Sequence, residues 1–376
     1  MNSLNSTNIN GYLEGYYGNL LNWSNRRRIL RTLSELNFNH YFYCPKEDLH
    51  HRLLWRKSYP QSWLKSFNRF CFTAEKLNIK ILIGIAPGID FDFNNYDKDF
   101  DVLFNKIKQI LNKNICQIVL MFDDISDDFS KKFPNIFSEG KVHAKLANDL
   151  SERIKKNIFV VPRVYSDDLG IEQNDYLTSF CNTINKKSYI FYCGRKIVAE
   201  TNNYVEFKKI SKLTNNKIIF WDNIYANDYC PRRLFLGPYY GRSSISNTFL
   251  NLTGMIETDI FLLHVIKNSI SIQKDNLRIL NKFKIPVIFK DIEKYFLTIN
   301  NKYPNKFINK SSLAKDLENL DFLLWKWKTP LSLEWYPYIL GLKQDLLLLY
   351  NKISIQRVNK IQTVPFTKII KKLWGN

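Results

Sequence analysis

Residues 116–125 read CQIVLMFDDI. Six of the first seven are apolar or cysteine, and then two aspartates, Asp123 and Asp124, stand side by side. A short run that is apolar nearly throughout has the pattern of a strand covered on both faces, as in a parallel sheet. Two like charges at its end repel, which asks for a reason beyond solubility.

Comparable runs recur along the chain. They are YLEGYYG at 12–18, HYFYCPK at 40–46, IKILIGIAPG at 79–88, IFVVPRVY at 158–165, SYIFYCG at 188–194 and KIIFWDN at 217–223, with a weaker eighth candidate, MIETDIFLL, at 255–263. Helical patterns separate them. Residues 24–36 open on a serine cap at Ser24 and place Ile29, Leu30, Leu33 and Leu36 on one face. Residues 60–77, 97–113, 138–156, 173–185 and 202–213 behave similarly, and the connection at about 242–252 is the weakest helix.

Strand followed by helix, repeated, predicts a parallel sheet. Eight such units in about 265 residues is the size of a (β/α)8 TIM barrel. An open doubly wound sheet is the alternative, but it usually carries a G-x-G-x-x-G turn after its first strand. The first strand here ends in EGYYG. After about residue 270 the strands stop, and 264–283, 313–327 and 332–356 read as helical. The expectation is an α/β fold: a catalytic barrel over 1–299 and a small helical extension over 300–376, whose helices could also serve as a homodimer contact.

The chain has 376 residues, is 45% hydrophobic and 15% aromatic, and carries a formal charge of +20. The positive charge is spread along the length, which reads as a solvated surface rather than a nucleic-acid site. Six cysteines lack CxxC spacing and read as free thiols. The start, MNSLNSTNINGYLEG, has no apolar core of a signal peptide, and no run of 18 apolar residues exists. A cytoplasmic protein with neither membrane nor nucleic-acid partner is the simplest expectation.

In a parallel barrel, chemistry sits where the strands end. The first run stops at Glu14-Gly15-Tyr16-Tyr17-Gly18, the second at Cys44-Pro45-Lys46, the fourth at Asp123-Asp124, the fifth at Tyr165 and the seventh at Trp221-Asp222-Asn223, with Asp228 beyond. Carboxylates, amides, one lysine and aromatics suit a neutral, hydroxyl-rich ligand, whereas a phosphate would want glycine-rich loops and arginines. Two close carboxylates should raise at least one pKa, which suits a general acid. Adjacent aspartates cannot straddle a sugar ring as the usual pair of glycosidase carboxylates does. They can divide the work if the substrate's own 2-acetamido oxygen is the nucleophile. Taken alone, the dipeptide leans towards a divalent-metal pair rather than a glycosidase, with a loop cap as the plain alternative.

Six segments together resemble glycoside hydrolase family 84, the β-N-acetylglucosaminidases that include O-GlcNAcases: EGYYG at 14–18, YCPKED at 43–48, APGIDFDF at 86–93, MFDDI at 121–125, WDNIYANDY at 221–229 and RLFLGPYYGRS at 233–243. The resemblance spans roughly 11–265 and implies a retaining, cofactor-free and metal-free exo-hydrolase acting on terminal GlcNAc through an oxazoline. It implies that Asp123 orients the acetamido group and that Asp124 is the acid and then the base. Gly15, Lys46, Tyr165, Trp221, Asn223, Asp228 and Asn251 would bind the sugar: Gly15 through its carbonyl, Lys46 at a ring hydroxyl, Trp221, Asn223 and Tyr165 around the acetamido group, and Asp228 and Asn251 at hydroxyls. The first motif is followed by Asn19-Leu20-Leu21-Asn22-Trp23 where the family has Arg-Pro-Trp, Pro162-Arg163-Val164 before Tyr165 is less polar than in the family, and Tyr225 replaces a common histidine. A barrel that binds GlcNAc with weak or no catalysis is the alternative function.

Overall fold

In a computed structural model, the chain is described over residues 8–111, 116–169, 174–199, 201, 203–230, 232–239, 241–242, 247–271, 276–297 and 312–349. Eight strands form a closed, all-parallel barrel in sequential order. They are β1 (Asn10–Glu14), β2 (His40–Tyr43), β3 (Lys80–Ile85), β4 (Cys116–Met121), β5 (Phe159–Val161), β6 (Tyr189–Tyr192), β7 (Lys217–Asp222) and β8 (Thr248–Asn251). The barrel closes where β1 pairs with β8, Leu13 standing opposite Asn251. Helices α1 (Trp23–Glu35), α2 (Gln61–Lys76), α3 (Tyr96–Lys108), α4 (Phe129–Lys132), α5 (Glu139–Ile154), α6 (Asn174–Thr183), α7 (Lys208–Leu213) and α8 (Ile256–Ser269) are interleaved with them, two falling between β4 and β5 and none, among the described residues, between β7 and β8. The TIM-barrel expectation is met.

Two local expectations are corrected. MIETDIFLL is not the eighth strand: it opens α8, and the strand is the shorter TFLN just before it. The helix prevails because Glu257 and Asp259 fall in its first turn, where carboxylates face the positive end of the helix dipole. Asp259 is fully buried there and accepts hydrogen bonds from the Thr253 and Gly254 amides at 2.8 and 3.1 Å. The cap of α1 is Asn22 rather than Ser24, its side chain accepting from the Asn25 amide at 2.8 Å.

Period-two alternation fills the barrel interior. Leu13, Phe42, Leu82, Val119, Phe159, Phe191, Ile219 and Phe249, one from each strand, belong to one buried cluster. Rings interlock at its centre: Phe42 stacks on Phe191 with centroids 5.2 Å apart, and Phe249 meets Phe191 edge-on at 5.3 Å.

The chain divides into two compact units, residues 1–229 with 238–274, and residues 230–237 with 275–376. The described part of the second unit holds α9 (Asn276–Lys282), α10 (Phe289–Ile292), α11 (Leu313–Trp325) and α12 (Pro330–Leu349). Its own core centres on Trp335, fully buried against Trp327 and Phe289. Residues 300–311 and 350–376 of the expected extension lie outside the described residues. Among the described residues no helix is long and apolar enough to cross a membrane.

Three buried histidines set an acid limit on the barrel. Burial pushes His40 and His143 down to about 3 and His51 down to about 4. Above about pH 6.5 all three are neutral in the folded and the unfolded chain, so they cost nothing. Below it the unfolded chain takes up protons that the folded chain refuses, and stability falls until the folded pKa values are reached. The slope is about 1.4 kcal/mol per pH unit for each histidine, or about 4 kcal/mol for the three together. Denaturant titrations at pH 7.0 and 5.5 are expected to show a large loss at the lower pH. An equal midpoint at both would mean that these histidines are protonated in the folded state.

Candidate active site

The strand period selects the site residues. On β4, Val119 and Met121 face the core, and Asp123 is the next residue in that series. Phe42 and Cys44 lead to Lys46, Ile219 and Trp221 lead to Asn223, and Phe249 leads to Asn251. These four apolar interior rows thus end on polar groups at the C-terminal mouth. These groups, with Gly15, Asp124, Tyr165, Trp221 and Asp228, line a cavity of about 500 Å³. All nine residues singled out from the sequence are brought together there.

Asp124 is out of phase with the interior series. Its backbone has φ 53°, in the left-handed region that aspartate tolerates better than most residues. That single turn lets adjacent side chains face one cavity. Phe122, between Met121 and the pair, points the other way and stacks on His143 with centroids 4.1 Å apart.

The cation between the two carboxylates is the ammonium of Lys46. Its Nζ donates to Asp123 Oδ2, and to Asp124 Oδ2 at 3.1 Å. Burial alone would lower the Lys46 pKa, but Asp123 and Asp124 together raise it, so the ammonium stays charged. Asp124 also accepts from the Tyr17 hydroxyl at 2.8 Å (Oδ2) and the Tyr165 hydroxyl at 2.9 Å (Oδ1). Burial would raise its pKa; Lys46 and the two hydroxyls outweigh that and lower it. The expectation is that at least one carboxyl of the pair is raised; Asp124 is not that one, because a lysine screens the pair. Asp123 is only 5% exposed, and its Oδ1 has no hydrogen-bond partner. Among the described residues no group of three or more His, Cys, Asp or Glu side chains is placed to hold a metal ion.

The opposite wall is built on Trp221, whose indole N–H donates to Asn223 Oδ1 at 2.9 Å. Asn251 Nδ2 donates to the same oxygen at 2.9 Å, while Asn223 Nδ2 reaches the Ile197 carbonyl at 2.8 Å. Asn223 is thereby committed to holding Trp221 and Asn251 in place, and Asn251 Oδ1 is left buried without a partner. Gly15 is required by the indole: a Cβ there would come within 2.7 Å of Trp221 Cζ2. Asp228 accepts from the backbone amides of Tyr17 at 2.9 Å and Tyr229 at 3.0 Å. Tyr165 lies four residues beyond β5 rather than at its end, and its hydroxyl turns to Asp124.

In the sequence Tyr16 and Tyr17 end the first run, and Tyr239 and Tyr240 stand in RLFLGPYYGRS, with nothing to tell them apart. The structure separates them. Tyr17 lines the cavity, Tyr16 is buried with its hydroxyl 3.0 Å from that of Tyr12, and Tyr239 donates to Asp222 at 2.6 Å. Tyr240 lies outside the described residues. The apolar lining from Val161, Phe191 and Cys193 reads in the sequence simply as core.

Comparisons with known proteins agree with this architecture. Residues 10–256 match the family described as beta-N-acetylglucosaminidase. The chain is 26% identical over 307 residues to the protein O-GlcNAcases of Rattus norvegicus and Mus musculus, covering 79% of this chain and 33% of each relative. It therefore spans about a third of the length of these curated relatives. Among solved structures, a mutant of the Thermobaculum terrenum O-GlcNAc hydrolase has a TM-score of 0.75 at 18% identity, covering 90% of this chain and 82% of that one. At that identity the structural likeness speaks to the fold, and the family match carries the assignment: the chain belongs to the β-N-acetylglucosaminidase family, glycoside hydrolase family 84.

Proposed function

We propose that the chain is a retaining exo-β-N-acetylglucosaminidase that removes terminal β-linked GlcNAc by substrate-assisted catalysis. The observation that carries this reading is Asp123 Oδ1, a buried carboxylate oxygen with no partner in a cavity of sugar size. Leaving a buried acceptor unmet costs about 1–3 kcal/mol, and more for a charged one. The N–H of a 2-acetamido group is the donor it lacks. Asn251 Oδ1 presents a second unmet acceptor, suited to a sugar hydroxyl.

In the proposed reaction Asp123 accepts the amide N–H and aims the acetamido oxygen at the anomeric carbon. That oxygen forms a bond to C1 while the C1–O bond to the aglycone breaks. The leaving oxygen takes the proton of Asp124. The resulting oxazolinium is positive, and the charge of Asp123 lies beside it. Asp124 then accepts a proton from water as the water oxygen bonds to C1 and the ring opens to the acetamide. The anomeric configuration is inverted twice and so retained. Lys46 has three N–H groups and spends two on the aspartates, leaving one for a ring hydroxyl.

The test is a pair of aryl glycosides differing only at C2. The β-N-acetylglucosaminide is expected to turn over at least about 1000-fold faster than the β-glucoside, the order of effect of removing an intramolecular nucleophile. Equal rates on the two would end the substrate-assisted reading. Tight GlcNAc binding without turnover of either would favour a binding protein. A panel extended to GlcNAc-peptides and glycan ends addresses the aglycone.

A further inference from the structure

Arg52 does not line the cavity, yet it reaches the acid from behind by two routes. Its Nη2 donates to the backbone carbonyl of Asp124, and its Nη1 donates to the Tyr17 hydroxyl at 2.7 Å. Tyr17 in turn donates to Asp124 Oδ2 at 2.8 Å. A guanidinium has no acceptor, so its bond to Tyr17 leaves the phenolic proton free to point at Asp124. One fork thus secures both the carbonyl and, through Tyr17, the carboxylate of the same residue. That residue is the one whose left-handed backbone brings the adjacent carboxylates onto one cavity.

The segment that carries Arg52 is itself anchored on both sides. The preceding His51 is buried, accepts from the Ala86 amide at 3.0 Å through its carbonyl, and places its ring Nδ1 2.8 Å from the Gly84 carbonyl at the end of β3. Three residues on, Trp55 is fully buried and its indole N–H donates to Asp90 Oδ1 at 2.6 Å. The guanidinium is therefore presented from a fixed turn rather than a free loop.

We infer that Arg52 is a positioning residue for the general acid: its forked contact with the Asp124 carbonyl and the Tyr17 hydroxyl holds the Asp124 carboxyl in its working orientation. This rests on the assignment of Asp124 as the acid. A lysine at this position is a point charge and can satisfy one of the two contacts at most.

The experiment compares the wild type with Arg52→Met and Arg52→Lys on two substrates, methyl β-N-acetylglucosaminide and its 2,4-dinitrophenyl counterpart. Arg52→Met is expected to lower kcat on the methyl glycoside about 30-fold, with KM within about threefold, since misplacing a catalytic group by about 1 Å costs up to about 100-fold. The loss in kcat/KM on the dinitrophenyl glycoside, which reports the first step alone, is expected to stay within about threefold, because that leaving group needs little protonation. Arg52→Lys is expected to fall between. In the same proteins the Asp124 carboxyl is titrated by ¹³C NMR, and losing the adjacent cation is expected to raise its pKa in Arg52→Met. Unchanged kcat on the methyl glycoside, or equal losses on both substrates with an unshifted Asp124 titration, would overturn the inference. Failure of the wild type on both substrates would count against the proposed function, and the titration would still judge the contact of Arg52 with Asp124.

Discussion

Replacing Asp123 by asparagine is expected to lower kcat about 100- to 1000-fold on every N-acetylglucosaminide, the most activated leaving groups included, the usual range for removing one group aimed at developing charge. Asparagine keeps the shape and can still accept the acetamido N–H, but it is neutral. The oxazolinium then develops its positive charge beside Lys46 with one compensating carboxylate instead of two. The site makes the charge count matter, because Asp123 is almost wholly buried and its Oδ2 is already held by the ammonium. Activation of the leaving group cannot compensate, since the deficit lies at the nucleophile. A kcat within about tenfold of wild type on the dinitrophenyl glycoside, against the range expected for such a group, would remove Asp123 from that role.

Replacing Asp124 by asparagine is expected to act differently. Substrates whose leaving oxygen needs a proton should slow by about 100- to 10,000-fold, the usual contribution of a general acid. A dinitrophenolate departs without one, so its first step should be nearly unaffected, and the plot of log kcat/KM against leaving-group pKa should steepen. The contacts of Asp124 add a pH signature. Lys46, Tyr17 and Tyr165 all stabilise the ionised form of Asp124, and its pKa is lowered. An acid in that state is unprotonated at neutral pH, so the substrate must displace Tyr17 or Lys46 from Oδ2 before the proton can reside there. Displacing those donors, while burying the carboxyl further, raises its pKa in the complex. The alkaline limb of kcat, which reports the complex, is therefore expected at higher pH than that of kcat/KM, which reports the free enzyme. Coincident limbs would mean that the contacts around Asp124 survive binding.

Both predictions depend on a pair that the sequence locates at once and explains only halfway. That CQIVLM is a buried strand, and that Asp123 continues its inward series, follow from a period of two. The same period sends Asp124 away from the cavity. The residue returns because its backbone turns left-handed, a choice made by the loop and by Arg52 and Tyr17 from two other loops. Nothing local in MFDDI announces those partners, which lie 72 and 107 positions away. The screening of the pair by Lys46 is hidden in the same way, and so the raised acid pKa inferred from adjacency alone is reversed for Asp124.

The eighth strand was concealed for the opposite reason. TFLN is too short to announce itself, and the longer apolar run beside it has helix-forming carboxylates whose role appears only when Asp259 is seen holding the amides of Thr253 and Gly254.

By itself the sequence determined the barrel, the rim on which the polar groups gather, and the family. Alternation and apolar runs are short-range properties, and backbone pairing leaves them few ways to be satisfied. Only the tertiary structure decided the state of the site: Lys46 lies between the aspartates, Asp123 Oδ1 and Asn251 Oδ1 are unmet acceptors, and Arg52 grips the carbonyl of Asp124 and the hydroxyl of Tyr17. Charge balance and hydrogen-bond supply are set by groups that meet across loops, and their order along the chain does not encode that meeting.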